Sequence, residues 1–140
     1  MTTYSERFRR IELMLGAEAS GHLRNSFVLV AGLGAVGSYA VEGLARAGVG
    51  RFRLIDFDRV CPSNINRQLY ALESTIGRLK CEVARERILD INPECEVEAI
   101  SGFIDADSLV EYLADSPDIV IDAIDSLNPK TELISAVRTR

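Results

Sequence analysis

Three carboxylates, a lysine and a run of amide and guanidinium side chains stand at spacings in this sequence that would suit phosphate chemistry. Asp56 and Asp58 occur in Leu54-Ile55-Asp56-Phe57-Asp58, and Asp125 in Asp122-Ala123-Ile124-Asp125-Ser126. Asn64, Arg67 and Gln68 fall in Ser63-Asn64-Ile65-Asn66-Arg67-Gln68, and Lys80 closes Gly77-Arg78-Leu79-Lys80. Asp58 and Asp125 read as a pair that shares Mg²⁺, a hard cation that takes a few carboxylates together with phosphate oxygens. Arg67 and Lys80 add fixed positive charge, and Asn64 and Gln68 add amide donors. Such a set could hold a triphosphate and stabilise charge building on it in a transition state.

The anion cradle for this chemistry is Val28-Leu29-Val30-Ala31-Gly32-Leu33-Gly34-Ala35-Val36-Gly37. Gly32 and Gly34 permit a tight turn free of side chains, and Gly37 lets the outgoing helix lie close to the strand. The helix start offers backbone N–H groups and the positive end of a dipole. Alone, G-x-G-x-x-G fits NAD, FAD, S-adenosylmethionine or ATP.

The elements that must position these residues follow from periodicity. Tyr4 to about Leu23, within a helical N-terminal segment over 1–25, reads as one or two amphipathic helices carrying Arg7, Arg9 and Arg10. Phe27 to Ala31 is a buried strand, Val36 to Ala47 a crossover helix, and Arg51 to Asp56 a second parallel strand. Cys61 to Glu73 is an irregular polar segment. Arg78 to Ile91 carries the apolar stripe Leu79, Val83, Ile88 and Ile91 of a second crossover helix, with Pro93 just beyond. A third strand over Glu96 to Ile100, a helix from Asp105 (its N-cap) to Ala114, a fourth strand over Asp118 to Asp122 and a helix over Leu127 to Arg138 complete the chain. This alternation predicts an α/β fold, a doubly wound Rossmann-like, mainly parallel sheet forming one nucleotide-binding domain over 1–140. Right-handed crossovers put all strand carboxyl ends on one side, so the glycine turn, Asp56, Asp58 and Asp125 converge on one crevice.

Composition bounds the reading. The chain has 140 residues, 47% of them apolar, which is enough for a core. Its apolar runs are too short to span a membrane, and Met1 to Arg7 has no signal-peptide pattern. Cys61, Cys81 and Cys95 show no C-x-x-C spacing, which fits a reducing, cytoplasmic setting; all three read as small buried hydrophobes. Residues 1–53 carry +3 and residues 54–140 carry −8 of the net −5. An acidic body of this kind disfavours nonspecific nucleic-acid binding. His22, the single histidine, reads as helix-end surface.

Several chemistries compete for the crevice. A dehydrogenase needs one acid about 20 residues past the glycines, and Asp56 can fill that place. Hydride transfer has no use for Asp58 or for the Asn64, Arg67, Gln68 and Lys80 cluster. The Walker pattern is absent, so this is not a P-loop enzyme. An ATP site with Mg²⁺ and no evident acceptor hydroxyl favours nucleotidyl transfer over γ-phosphoryl transfer. Each residue alone has an ordinary reading: Asp58 and Asp122 as turn formers, Lys80 as helix surface. Their joint placement carries the argument.

Gly32-Leu33-Gly34-Ala35-Val36-Gly37, Asp56-Phe57-Asp58-Arg59-Val60, Ser63-Asn64-Ile65-Asn66-Arg67-Gln68 and Gly77-Arg78-Leu79-Lys80 together resemble the ubiquitin-activating-like adenylation superfamily, which includes the ThiF and MoeB sulfur-carrier activators. Val60-Cys61-Pro62-Ser63-Asn64, Ile91-Asn92-Pro93-Glu94-Cys95 and Pro129-Lys130 are most similar to the tRNA threonylcarbamoyladenosine dehydratase branch. The resemblance implies that Asp56 holds the ATP ribose and that Asp58 and Asp125 bind Mg²⁺. It implies phosphate contacts from Asn64, Arg67, Gln68 and Lys80, with Arg67, Lys80, Asp125 and Arg10 serving catalysis. Arg10 would act in the site of a partner subunit, which implies a homodimer. The implied reaction is attack of a substrate carboxylate on the α-phosphate of ATP. In the dehydratase branch the carboxylate is the threonylcarbamoyl group of a tRNA adenosine, and ring closure then expels AMP. A sulfur-carrier protein with a C-terminal Gly-Gly, in a system with a cysteine desulfurase, is the alternative acceptor. A noncatalytic ATP-binding module is a further alternative. Members of the superfamily continue past the equivalent of Arg140, so a truncated chain with an exposed sheet edge is expected.

Overall fold

A computed structural model describes residues 2–139; Met1 and Arg140, the ends of the expected domain, lie outside them. Four short strands build its sheet: β1 (Phe27–Ala31), β2 (Arg51–Ile55), β3 (Glu96–Ile100) and β4 (Ile119–Asp122). Their order is β3-β2-β1-β4 and every pairing is parallel. β1 is buried at all five positions, which is why its sequence is continuously apolar rather than alternating. The register sets Ala31 opposite both Ile55 and Asp122, and Ile55 opposite Ile100. The carboxyl ends are therefore level. Chain direction across the sheet reverses between β1 and β4, so a crevice opens there.

Among the described residues, six α-helices accompany the sheet: α1 (Tyr4–Leu15), α2 (Ala17–Asn25), α3 (Ala35–Ala47), α4 (Lys80–Ile91), α5 (Ala106–Tyr112) and α6 (Leu127–Arg138). Val28, Val30, Phe52 and Leu54 face α3 and α4, packing with Val41, Ala45, Ala84 and Ile88. Leu29, Ala31 and Ile55 face α5 and α6, packing with Leu109, Tyr112 and Leu133. The sheet is thus wound on both faces. Leu29, Phe52 and Leu54 have no exposed surface, each worth roughly 1.5–3 kcal/mol relative to exposure.

The edges differ in character. On β3, Glu98 pairs with the buried Arg53 at 2.6 Å and Glu96 with Arg51 at 3.7 Å, a charged rim that discourages further pairing. The outer edge of β4 has no partner strand among the described residues, and Ile119 there is 53% exposed. The expected open edge is present.

The N-terminal segment is two helices. Thr3 and Glu6 form a capping box at the start of α1, and Gly16 separates α1 from α2. Tyr4 Oη donates to the Gly48 carbonyl (2.6 Å) and Arg7 to the Ile91 carbonyl (2.8 Å). These contacts tie α1 to the far ends of α3 and α4, beside the amino edge of the sheet. No helix among the described residues is long and apolar enough to cross a membrane.

β2 stops at Ile55 rather than Asp56, β4 starts at Ile119 rather than Asp118, and three helices depart from the sequence reading as well. α3 begins one residue earlier, at Ala35. α4 begins at Lys80 rather than Arg78, because Arg78 and Leu79 pair with Val60 and Arg59 in an antiparallel ladder instead of coiling. α5 spans 106–112 rather than reaching Ala114, and Asp115 and Ser116 follow with φ of 62° and 50°. Asp105 caps α5 as expected, accepting from the Ser108 N–H at 2.8 Å. The polar segment after Cys61 contains two 3₁₀ turns, Pro62–Asn64 and Glu73–Thr75.

Candidate functional site

The glycine turn is clamped from two sides. The Gly32 N–H donates to the Ile55 carbonyl (2.9 Å), and the Leu33 N–H donates to Asp56 Oδ2 (2.7 Å). Gly32 has φ of +92°, and any Cβ there would strike the Ala123 carbonyl. A Cβ on Gly37 would run into the Gly32 carbonyl oxygen. Hence α3 starts directly beneath the turn. Its N-cap, Gly34, supplies no side-chain cap, so the first-turn N–H groups stay open to an anion.

Asp56 has a structural task in holding the backbone around it. Its Oδ1 accepts the Asp58 N–H at 2.8 Å while Oδ2 holds the glycine turn. Burial pushes its pKa above the ordinary carboxylate value, opposed by the two amide bonds and by the Lys80 charge. Each oxygen keeps a further lone pair.

Asp58 and Lys80 meet through a short ladder. The Val60 N–H donates to the Arg78 carbonyl, the Gly77 N–H to the Val60 carbonyl and the Lys80 N–H to the Asp58 carbonyl, at 2.9, 2.8 and 3.1 Å. Lys80, only 5% exposed, thereby sets its Nζ 3.3 Å from Asp58 Oδ2. A nearly buried ammonium is stable here because it has that partner.

The polar loop folds over the turn. Asn64 Oδ1 accepts the Cys61 N–H at 3.0 Å, which leaves the amide NH₂ as the group free for a ligand. Gln68 Nε2 lies 3.6 Å from the position of a Cβ on Gly34. Arg67 donates to the Ser63 carbonyl and to Asn66 Oδ1, both at 2.9 Å. The loop is anchored by Ser38, buried on α3, whose Oγ accepts the Leu69 N–H at 3.3 Å. At the end of β4, the Ala123 N–H donates to the Ala31 carbonyl (2.8 Å) and the Ile124 N–H to Asp122 Oδ1 (3.1 Å). Asp125 follows on an exposed arm.

These elements enclose a cavity of about 360 Å³, within the range of small-ligand sites. Gly32, Gly34, Asp56, Asp58, Asn64, Arg67, Gln68, Lys80 and Asp125 all line it. Gly37 lies under the turn rather than on the wall. Arg10 is not brought in: it is exposed on α1, which docks at the opposite end of the sheet. Among the described residues no group of three or more His, Cys, Asp or Glu side chains is gathered. Asp58 and Asp125, both on the cavity wall, fit a cation that arrives with phosphate oxygens, as Mg²⁺ does.

One expectation is corrected. Cys81 and Cys95 are buried, but Cys61 is exposed. The backbone at Cys61 is extended (φ −116°, ψ 153°), so its side chain alternates with the buried Val60 and points outward. His22 is exposed in the last turn of α2, as read. Sequence reasoning missed Ser38, whose only signal was a hydroxyl on an inward helix face, and the Asp122–Lys130 ion pair (2.6 Å). It also missed Phe57 and Phe103 on the cavity wall; the carboxyl-edge position of Phe103, just past β3, was the available signal.

Comparison with known proteins places these features in context. The model of the ThiF family matches residues 4–137. The tRNA threonylcarbamoyladenosine dehydratase of Haemophilus influenzae is 46% identical over 132 residues, covering 94% of this chain and 51% of the relative. The crystal structure of the Escherichia coli tRNA N6-threonylcarbamoyladenosine dehydratase, TcdA, in complex with ATP superposes with a TM-score of 0.94 at 42% identity, covering 96% of this chain and 56% of that one. The molybdopterin-synthase adenylyltransferase of Escherichia coli is 35% identical over 129 residues, covering 91% of this chain and 51% of the relative. The chain spans about half the length of the curated relatives it matches.

Proposed function

This chain belongs to the ThiF family, and from that premise we propose that it is the nucleotide-binding part of an ATP- and Mg²⁺-dependent adenylating enzyme acting on the threonylcarbamoyl group of a tRNA adenosine. The observation that carries the reading is the ladder-held Lys80 beside Asp58, in one cavity with an uncapped helix start. That combination suits a polyphosphate whose charge changes during reaction.

In this reading the open N–H groups of α3 and the Asn64 and Gln68 amides receive the phosphates, while Asp56 uses its remaining lone pairs for the ribose hydroxyls. Asp58 and Asp125 would hold Mg²⁺, which neutralises phosphate charge when bound. A carboxylate oxygen of the acceptor attacks the α-phosphorus, and the bond from that phosphorus to the bridging oxygen of the β-phosphate breaks. Pyrophosphate carries away the electron pair, and Lys80 and Arg67 stabilise the charge shifted onto it. An internal nucleophile of the acceptor then attacks the activated carbonyl and AMP leaves, a net dehydration. Arg10 lies at the wrong end of its own sheet for this site, which supports action on a second copy in a cytoplasmic homodimer.

The second reading, activation of the C-terminal Gly-Gly of a sulfur-carrier protein with a cysteine desulfurase system upstream, is favoured by the 35% identity to a molybdopterin-synthase adenylyltransferase. The test is ATP–pyrophosphate exchange with Mg²⁺, offering threonylcarbamoylated tRNA or a carrier protein. Exchange with the tRNA is the expected result. Exchange only with the carrier would overturn the tRNA assignment, and exchange with neither would leave an ATP-binding module.

A further inference from the structure

Within Ser63-Asn64-Ile65-Asn66-Arg67-Gln68, the residues Asn64, Arg67 and Gln68 line the cavity and Asn66 does not. The loop that carries them is wound on itself. The Asn64 N–H donates to the Cys61 carbonyl (2.9 Å) and the Ile65 N–H to the Pro62 carbonyl (3.2 Å). The Arg67 and Gln68 N–H groups share the Asn64 carbonyl, at 3.1 and 2.9 Å. On this frame Arg67 Nη1 donates both to Asn66 Oδ1 and to the Ser63 carbonyl, each at 2.9 Å.

A guanidinium carries five N–H donors in a rigid planar fork. Both protons of Nη1 are taken here, whereas Nε–H and the Nη2 protons have no partner among the described residues. Nε–H and one Nη2 proton point the same way along one edge, the edge that grips a phosphate with two parallel hydrogen bonds. A single bond to the Ser63 carbonyl would let the plane pivot about it. The second bond, to Asn66, fixes the plane and with it the direction of the free edge. Asn66 is itself exposed and off the cavity wall, so any effect it has on a ligand passes through Arg67.

We infer that Asn66 is a positioning residue for Arg67, aligning its Nε/Nη2 edge with the pyrophosphate end of the nucleotide; this rests on the adenylation reading above. Fixing the plane beforehand spares the cost of ordering a long side chain when the ligand arrives. The aligned edge then grips the group that carries away the electron pair when its bond to the α-phosphorus breaks. The nucleoside end, held in this reading by Asp56, has no need of Asn66.

Calorimetric titration with magnesium pyrophosphate and with AMP separates this role from a purely structural one. Asn66→Ala should bind magnesium pyrophosphate roughly 10-fold more weakly than the native chain, with AMP affinity kept within about two-fold. In an Arg67→Ala background, adding Asn66→Ala should cost nothing further, because the group it aligns is gone. Equal weakening of both ligands would reduce Asn66 to a shaper of the loop and overturn the inference. Unchanged pyrophosphate affinity, the same loss with and without Arg67, or a native chain that binds AMP but no pyrophosphate would overturn it as well. The adenylation reading stands in each of these cases. A native chain that binds neither AMP nor magnesium pyrophosphate would instead remove that reading, and the role of Asn66 with it.

Discussion

Lys130 Nζ lies 2.6 Å from Asp122 Oδ2, and through this pair the first turn of α6 is fastened to the end of β4. The other oxygen of Asp122 accepts the Ile124 N–H, so both halves of that carboxylate are occupied. Asp125, three residues on, is left as the carboxylate of this arm that faces the cavity. Lys130 therefore separates two nearby acids into a structural one and one left on the cavity wall. Replacing it by Met would release Asp122 and loosen the arm where Ala123 packs on Gly32 and Gly37. Lys130→Met should raise the Mg²⁺ concentration for half-maximal ATP binding about 10-fold, corresponding to roughly 1.4 kcal/mol, and Lys130→Arg should restore it. Calorimetric ATP titration at graded Mg²⁺ reads this out; unchanged Mg²⁺ dependence in Lys130→Met would show that Asp125 needs no such support.

Arg67, Lys80 and Asp125 approach the cavity from three different segments, so each can be removed without dismantling the others. In a chain extended to the length of its relatives, Arg67→Ala, Lys80→Ala and Asp125→Ala should each lower pyrophosphate exchange by at least ~100-fold, the scale for deleting one preorganised charge-stabilising group. Lys80→Ala also strips Asp58 of its partner, so thermal denaturation should accompany the assay. Near-normal turnover in any variant removes that residue from the mechanism.

Much of this site was legible in the sequence because its parts obey strong local rules. Phe27 to Ala31 is apolar on both faces and is buried on both. Gly32 and Gly37 occupy positions where a Cβ meets backbone. Asp56 and Asp125 follow strands whose direction is dictated by crossover handedness. What stayed hidden depends on contacts between segments that have no periodicity of their own. Leu79 fits a helical stripe, yet the segment 77–79 pairs with 58–60 instead, and only that ladder delivers Lys80 to Asp58. The outward turn of Cys61 and the meeting of Phe57 with Phe103 are likewise tertiary outcomes, decided by how loops from different strands settle on one another.

The three thiols should separate cleanly by reactivity. Cys95 is buried with its Sγ 3.5 Å from the Val49 carbonyl, and burial pushes its pKa up to about 12. Burial also raises that of Cys81. Thiolates are the reactive species, so both should be inert in the folded chain. A chromogenic disulfide reagent at about pH 8, near the ordinary cysteine pKa, should modify Cys61 alone, and Cys61→Ser should abolish the fast phase. All three should react after denaturation. Rapid labelling of two or more thiols in the native protein would contradict the packing of α4 and β3 described above.

Glu42 on α3 is gripped by Arg87 of α4 at 2.6 and 2.9 Å and by Arg46 at 2.7 Å. The Arg87 hydrogen bonds hold its pKa below the ordinary glutamate value, against the opposing effect of burial. The folded-state value is depressed, so the stabilisation is fully present above the ordinary glutamate range. It is lost as pH falls through the lower folded value. Glu42→Gln keeps the shape but not the charge. At neutral pH it should cost about 1–2 kcal/mol, limited by the partial exposure of Arg87. The gap between native and variant urea midpoints should then close progressively from pH 7 toward about pH 3, because protonation makes the native side chain resemble the variant. Parallel midpoint curves across that range would mean that the α3–α4 contact is held by Val41, Ala45, Ala84 and Ile88 alone, with the ion pair contributing nothing.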